Sequence, residues 1–493
     1  MRQNPSAPSS ASSGISAEAP GGLSRTASQA IWLLLFAAFT VILNETIMSV
    51  AISELMEDLH VTAATAQWLS TAFMLTMAIV IPTTGFLLQR VTTRQMFISA
   101  MSVFSAGTLL CMVAPGFTVL LIGRIIQACG TAAMMPLLMT TVLQLVPFNQ
   151  RGRMMGRISI VIAVAPAIGP TISGAILSLA SWRWMFGVVL PVALFMLFLG
   201  WKNLKNVSET RDIPLDLLSV LLSALGFGGL VFGLSSIAEV HDAPMTLPLT
   251  GIIGGVMFLL VFGWRQLHLQ RRDSALLDLR TFTHRNFALA AAVSTIAMGS
   301  LFGTVILLPL YLQRVLQIDP LTTGLLLLPG GLAMGLLGPV IGRIFDAIGP
   351  RPLVVPGAVA LSIVMWLLTF VDAGTPVWML LAGHIAMSVS LACMLTPMFG
   401  SGLGVLPPKL QSYGSATIGT VQQLAAAAGT AAFIAVMTIA QNNALASGAD
   451  EAEALVSGLQ AAFTVGACAS LVAVVLTPFI TRVREDSPAP ASH

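Results

Sequence analysis

A few polar side chains lie inside long apolar runs, where nothing in the local sequence accounts for them. Glu45 stands in Phe-Thr-Val-Ile-Leu-Asn44-Glu45-Thr46-Ile-Met, Arg124 in Leu-Leu-Ile-Gly-Arg124-Ile-Ile-Gln127, and His384 in Met-Leu-Leu-Ala-Gly-His384-Ile-Ala-Met. A charge in apolar surroundings is expensive unless a partner or a proton neutralises it. A carboxylate placed this way can gain and lose a proton as its surroundings open and close. Arg124 is its natural counter-charge, and a static buried pair is the structural alternative. Asn44, beside Glu45, adds an amide. Gln127 lies one helical turn from Arg124 on the same face. It can hydrogen-bond the arginine or a bound molecule, or simply pack between helices. His384 can relay a proton or touch a substrate; equally, a neighbouring helix can satisfy it.

Stretches of roughly 20 apolar residues position these groups, and each can cross a bilayer as a helix. The spans predicted are 30–52, 66–88, 95–114, 117–140, 156–179, 184–201, 216–236, 248–266, 287–312, 322–342, 352–371, 376–400, 414–440 and 457–480. All 23 basic residues except Arg124, Arg183 and Arg314 fall on the tails or in alternate gaps. The opposite gaps carry Glu54, Glu57, Asp58, Glu239, Asp242, Asp372, Asp450, Glu451 and Glu453. Lys and Arg stay on the cytoplasmic side, so both termini are expected there, in a multi-pass protein of the cell membrane. Glu45 and Arg124 then sit at matching depths, about 10–12 Å below the outer surface at 1.5 Å per residue. An ionisable group at such depth marks a functional site by default.

The composition is 56% hydrophobic and 9% charged, against about 25% charged in soluble domains. The gaps leave no room for an aqueous enzyme domain. Basic residues never cluster into a nucleic-acid footprint. The 4 cysteines sit singly inside spans and suggest neither a disulfide framework nor a metal site. With no Walker motif, ATP is not expected to drive a cycle, and no cofactor signature appears. The lipid bilayer is an expected partner, and oligomeric state is left open. Residues 1–29, rich in Ser, Ala, Pro and Gly, read as a disordered cytoplasmic tail, and 481–493 as another.

Gly85-Phe-Leu-Leu-Gln89-Arg90-Val-Thr-Thr-Arg94 follows the second span, and Gly342-Arg343-Ile-Phe-Asp346-Ala-Ile-Gly349-Pro-Arg351 follows the tenth. Gly85 aligns with Gly342, Gln89 with Asp346 and Arg94 with Arg351. This internal repeat divides the chain into six-helix halves, 30–201 and 287–480, with 202–286 holding two inserted helices and their linkers. Repeated halves are how many transporters are built, with the substrate site between them.

With these elements the chain resembles the major facilitator superfamily, and in particular its fourteen-span drug:proton antiporter branch. The second turn matches the family's Gly-x-x-x-Asp-x-x-Gly-x-Arg pattern. Arg124-x-x-Gln127-Ala-Cys-Gly130 approximates Arg-x-x-Gln-Gly-x-Gly. Gly169-Pro170-x-x-x-Gly174 matches the element found in antiporting members. Ser181-Trp-Arg183-Trp-Met-Phe186 and Pro309-Leu-Tyr-Leu-Gln313 are typical of the branch. Two departures stand out. Gln89 and Thr92 replace the usual Asp and Gly, and the family's first-span acid is expected at the position of Asn44, not of Glu45.

The resemblance implies an all-α membrane protein of major facilitator fold, two six-helix halves plus two inserted helices. It implies a proton-coupled exporter of small amphipathic drugs or toxic compounds, driven by a proton gradient, with Glu45, Arg124, Gln127, Asn44 and His384 as candidate coupling or substrate residues. A dedicated physiological substrate, or a non-transporting scaffold, remains the alternative. Gly169, Pro170 and Gly174 are expected to give span five a kinked, small-residue surface sealed against the other half. Gly85, Gln89, Arg90, Arg94, Gly342, Asp346, Gly349 and Arg351 are expected to form a cytoplasmic gate. Asp346 would cap the following helix or pair with a basic residue. Gln89, carrying no charge, would lock its half more weakly.

Overall fold

The computed structural model describes residues 25–61, 63–147, 150–177, 179–206, 216–239, 246–272, 274–318 and 320–482. They form fourteen α-helices: α1 Arg25–Asp58, α2 Ala63–Arg90, α3 Thr93–Met112, α4 Phe117–Leu145, α5 Arg151–Leu177, α6 Arg183–Asn203, α7 Leu217–Glu239, α8 Thr246–Leu269, α9 Arg285–Arg314, α10 Pro320–Ile348, α11 Arg351–Leu368, α12 Val377–Gly404, α13 Pro408–Ala446 and α14 Glu451–Leu476. Among the described residues, 13 of them are long and apolar enough to cross a membrane; α5, not among those 13, lies where the span 156–179 was expected. Only helices of this kind, or closed barrels, satisfy every backbone polar group inside lipid.

The helices overrun the apolar windows. α1 starts at Arg25 and so takes residues 25–29 from the expected tail, and α13 runs for 39 residues, Pro408–Ala446, where 414–440 was expected. Apolarity marks only the part of a helix that lies in hydrocarbon. The backbone ladder continues until a cap or a break stops it. Thr92 supplies such a cap to α3, through a capping box with Gln95, and Asp450 caps α14. Residues 1–24 and 483–493 of the expected tails, together with Arg211 and Asp242, lie outside the described residues.

α1 to α6 pack among themselves, as do α9 to α14, and α7 pairs with α8. The insert pair is closed by small residues. A methyl on Gly229 would lie 3.1 Å from the Gly251 carbonyl, and one on Gly233 would lie 2.7 Å from the Ile252 amide. Close approach of this kind is how helices associate in lipid, where van der Waals packing replaces the hydrophobic drive. The two halves meet along two seams, α5 against α10 and α2 against α13, with α4 and α12 crossing behind them. The ends of the bundle are chemically distinct. The basic end carries the turn after α2 and the turn after α10; the acidic end carries Asp58, Asp372 and Asp450.

Candidate functional site

Within the first half a buried polar network joins α1, α3 and α4. Arg124 is 1% exposed, Gln127 0% and Asn44 3%. Arg124 Nη1 donates to Gln127 Oε1 at 3.1 Å, and Gln127 Nε2 donates to Thr108 Oγ1 at 2.8 Å and to Asn44 Oδ1 at 3.4 Å. The guanidinium also stacks on Phe73 of α2, 4.1 Å from the ring centroid, a contact that partly replaces lost hydration. Arg124 Nε and Asn44 Nδ2 are buried with no hydrogen-bond partner among the described residues. Buried donors left open like this are costly and give the network spare bonding capacity.

Glu45 stands apart from this network. Its side chain is partly exposed, and it belongs to none of the described ion pairs, although the charge of Arg124 acts on it. The static Glu45–Arg124 pair considered above is therefore absent here. Adjacent helical residues point about 100° apart. Asn44 takes the inward place against Gln127, and Glu45 takes a different face of α1.

The gate residues are divided between the seams. Among the described residues Asp346 forms no ion pair and no hydrogen bond to α11. Its Oδ1 accepts from the Gly152 amide at 2.7 Å and its Oδ2 from the Arg153 amide at 2.8 Å. A carboxylate of one half thus caps the N-terminus of α5 in the other, where orphan amides and the helix dipole favour negative charge. Beside it the α5 and α10 backbones touch: a methyl on Gly342 would strike the Gly152 carbonyl, and one on Gly156 the Gly338 carbonyl. Ser159 and Thr396 share a buried hydrogen bond of 2.7 Å on the α12 side.

Gln89 occupies the equivalent place on the other seam, donating to the Lys409 carbonyl at 3.2 Å and to Ser412 Oγ at 3.0 Å. A methyl on Gly85 would lie 3.0 Å from the Ala416 Cβ. Arg90 ends α2. Arg94 binds the Trp201 carbonyl of α6 at 2.5 Å, within its own half. Arg351 Nε donates to the Ile480 carbonyl at 2.7 Å, and Arg482 donates to the Asp346 carbonyl at 3.3 Å. Arg351 therefore braces the C-terminal segment and does not face Asp346. Gly349 turns the chain with φ +87, a conformation that other residues adopt with strain.

Two expectations are displaced. Gly169 does not face the other half: a methyl there would run into Thr46 Oγ1 of α1. Nothing lies within 4 Å of where a methyl on Gly174 would sit. The side chain of Pro170 lies outside the described residues. The small-residue contact between halves is instead made one helical stretch earlier, by Gly152 and Gly156. His384 sits on α12 in the other half from Glu45, its Nε2 3.2 Å from the Leu327 carbonyl of α10 and its ring against Gly330. Its Nδ1 is buried and unpartnered among the described residues, so the neighbouring helix satisfies only one of the two ring nitrogens.

Sequence reasoning missed the polar anchors of the insert and of the acidic end. Asp216 takes two hydrogen bonds from Arg265, at 2.7 and 2.8 Å, and these hold its carboxyl at about 2. Gln266, 0% exposed, donates to Ser219 and accepts from the Leu276 and Leu277 amides. At the acidic end Asp58 takes hydrogen bonds from Trp182 at 2.8 Å and Arg183 at 3.1 Å, which hold it below the usual carboxylate range. A lone acid opening one span and a lone base closing the next was the available signal for Asp216 and Arg265.

Comparison with known proteins gives this arrangement a family. The sequence model described as Major Facilitator Superfamily matches residues 34–430 and 291–492. The chain belongs to that superfamily. Among its relatives, the lincomycin resistance protein LmrB of Listeria monocytogenes is 39% identical over 95% of this chain and 99% of its own. The LmrB of Bacillus subtilis is 36% identical over 92% and 95%. In fold the chain is similar to the human organic anion transporter MFSD10, with TM-score 0.66 at 15% identity over 92% and 99% of the two chains. The protein is thus a multi-pass membrane transporter of major facilitator fold, and not an enzyme.

Proposed function

We propose that this transporter exports amphipathic drugs or toxic compounds in exchange for protons, by alternating access, with Glu45 as the proton-carrying group. The observation that carries the reading is the division of labour on α1. Arg124 is already engaged by Gln127 and Phe73, so Glu45 is left partly exposed within its electrostatic reach. A carboxylate held like this can exchange a proton, or a bound compound, as the cavity opens to either face. The names of the LmrB relatives point to lincomycin as a first compound to try.

The basic end closes in the described arrangement through Asp346 and the glycines of α5 and α10. That supports a state whose cavity opens at the acidic end. By the positive-inside pattern the basic end is cytoplasmic, as are both termini.

Purified protein in liposomes, given an imposed pH gradient and a panel that includes lincomycin, tests this. Accumulation of a panel compound against its own gradient should occur and should collapse when an ionophore dissipates the pH difference. Compound movement indifferent to the pH gradient would overturn proton exchange while leaving transport standing.

A further inference from the structure

The two inserted helices have no counterpart in the internal repeat, yet α7 does not lie at the margin. It packs on α2 and α13 together, one helix from each half. Trp68 of α2 meets Phe232 of α7 with ring centroids 5.9 Å apart. Val231, 1% exposed, is buried in one cluster with Ala78 of α2 and Ala427 of α13, with Leu75, Phe227 and Leu424 closing around it. A methyl on Gly228 would lie 3.3 Å from Ile79 Cδ1, so the backbone itself rides close to α2.

Among the described residues the equivalent seam has no such cover. α5 and α10 share only α12 as a common neighbour among the described helix contacts, just as α2 and α13 share α4. Those two crossings are repeat mates, whereas α7 is an addition to one seam alone. The seam with the addition is also the one whose turn carries Gln89 in place of an acid. Its end-on lock is two amide hydrogen bonds, against a carboxylate on two helix-terminal amides across the molecule.

We propose that α7 is a strap across the α2/α13 seam, holding from the side what the missing acid would hold from the end. Inside lipid such a strap works by shape: Val231 and Phe232 fill the groove between two halves that must separate for the basic end to open. α8 then serves to seat α7, through its glycine contact and the Asp216–Arg265 pair. This inference rests on rocking of the halves and needs neither a drug nor proton exchange, so it can fail while the export reading survives, and the reverse.

The test is the opening of the basic end, read as the distance between spin labels at Lys202 and Lys409, both exposed and on opposite halves, in lipid nanodiscs without substrate. Val231→Ala with Phe232→Ala should raise the open population several-fold. Adding Gln89→Asp to that variant should return it toward the original, because the restored acid can cap α13 as Asp346 caps α5. An unchanged distribution in the double variant, or an opening that Gln89→Asp leaves untouched, would overturn the proposal. A second measurement covers loss of folding. In a background without the 4 native cysteines, disulfides tying α7 to both halves at once, Val231→Cys to Ala427→Cys and Trp68→Cys to Phe232→Cys, should stop transport, and reduction should restore it. Full transport with the disulfides in place would equally overturn the strap.

Discussion

The two seams that join the halves close by different means. At α5/α10 the backbones touch through Gly152, Gly156, Gly338 and Gly342, and Asp346 caps a helix across the gap. At α2/α13 Gly85 and Gly419 let the helices approach, each against a side chain of the other helix, Gln89 offers neutral hydrogen bonds, and α7 covers the join. The internal repeat sets where the turns go and leaves their strength free to diverge. One seam is tight and charged at its end; the other is looser there and supported along its side.

The largest expected effect breaks the tight seam. Gly156→Leu must push its side chain into the Gly338 carbonyl, so assembled, transporting protein should be lost, as judged by gel filtration and flux. Gly85→Ala on the other seam meets the Ala416 Cβ at 3.0 Å, a contact a small shift relieves, and should keep most transport. Next comes the cap. Asp346→Asn removes the charge from the α5 terminus and should favour opening of the basic end by about 1–2 kcal/mol, the usual scale of a helix cap. Gln89→Ala should do so by only about 0.5–1 kcal/mol, as for a neutral hydrogen bond. Equal effects in a labelling assay of basic-end accessibility would erase the contrast between seams.

The smallest effect concerns the support of α7. Asp216 titrates at about 2 because Arg265 binds its charged form. A depressed folded value stabilises above the unfolded value of about 4 and is lost as pH falls through 2. Asp216→Asn should therefore cost about 1 kcal/mol at neutral pH, a discounted figure for a pair that water reaches. Its gap to the parent in thermal unfolding should shrink between pH 4 and pH 2. A gap independent of pH would remove the pair from the account.

The sequence pattern made legible the number of helices, their alternating sidedness and the paired turns at Gly85 and Gly342. Apolar length and the placement of Lys and Arg report those directly. It also placed Arg124 at the depth of Glu45 with Gln127 one turn on, and in the fold Arg124 and Gln127 join Asn44 in a network. It did not show which neighbour each residue faces. In lipid, the outward and inward faces of a helix are both apolar, so periodicity carries little information about orientation. Hence Gly169 was expected against the other half and lies on Thr46, and Asp346 was expected near its own turn and caps α5. The sequence also left open a static pair of Glu45 with Arg124, and it is Asn44 that holds the inward position against Gln127. The place of α7 across a seam was equally hidden, because an insert outside the repeat has no symmetry mate to predict its contacts.

Proton exchange through this transporter, as proposed, rests on Glu45. Liposomes bearing wild-type protein or Glu45→Gln can be assayed for uptake under a pH gradient and for exchange at equal pH. Glu45→Gln should lose gradient-driven accumulation and keep exchange, since the halves and their seams are untouched. Gradient-driven accumulation at the wild-type rate in Glu45→Gln would contradict the proposed role of Glu45.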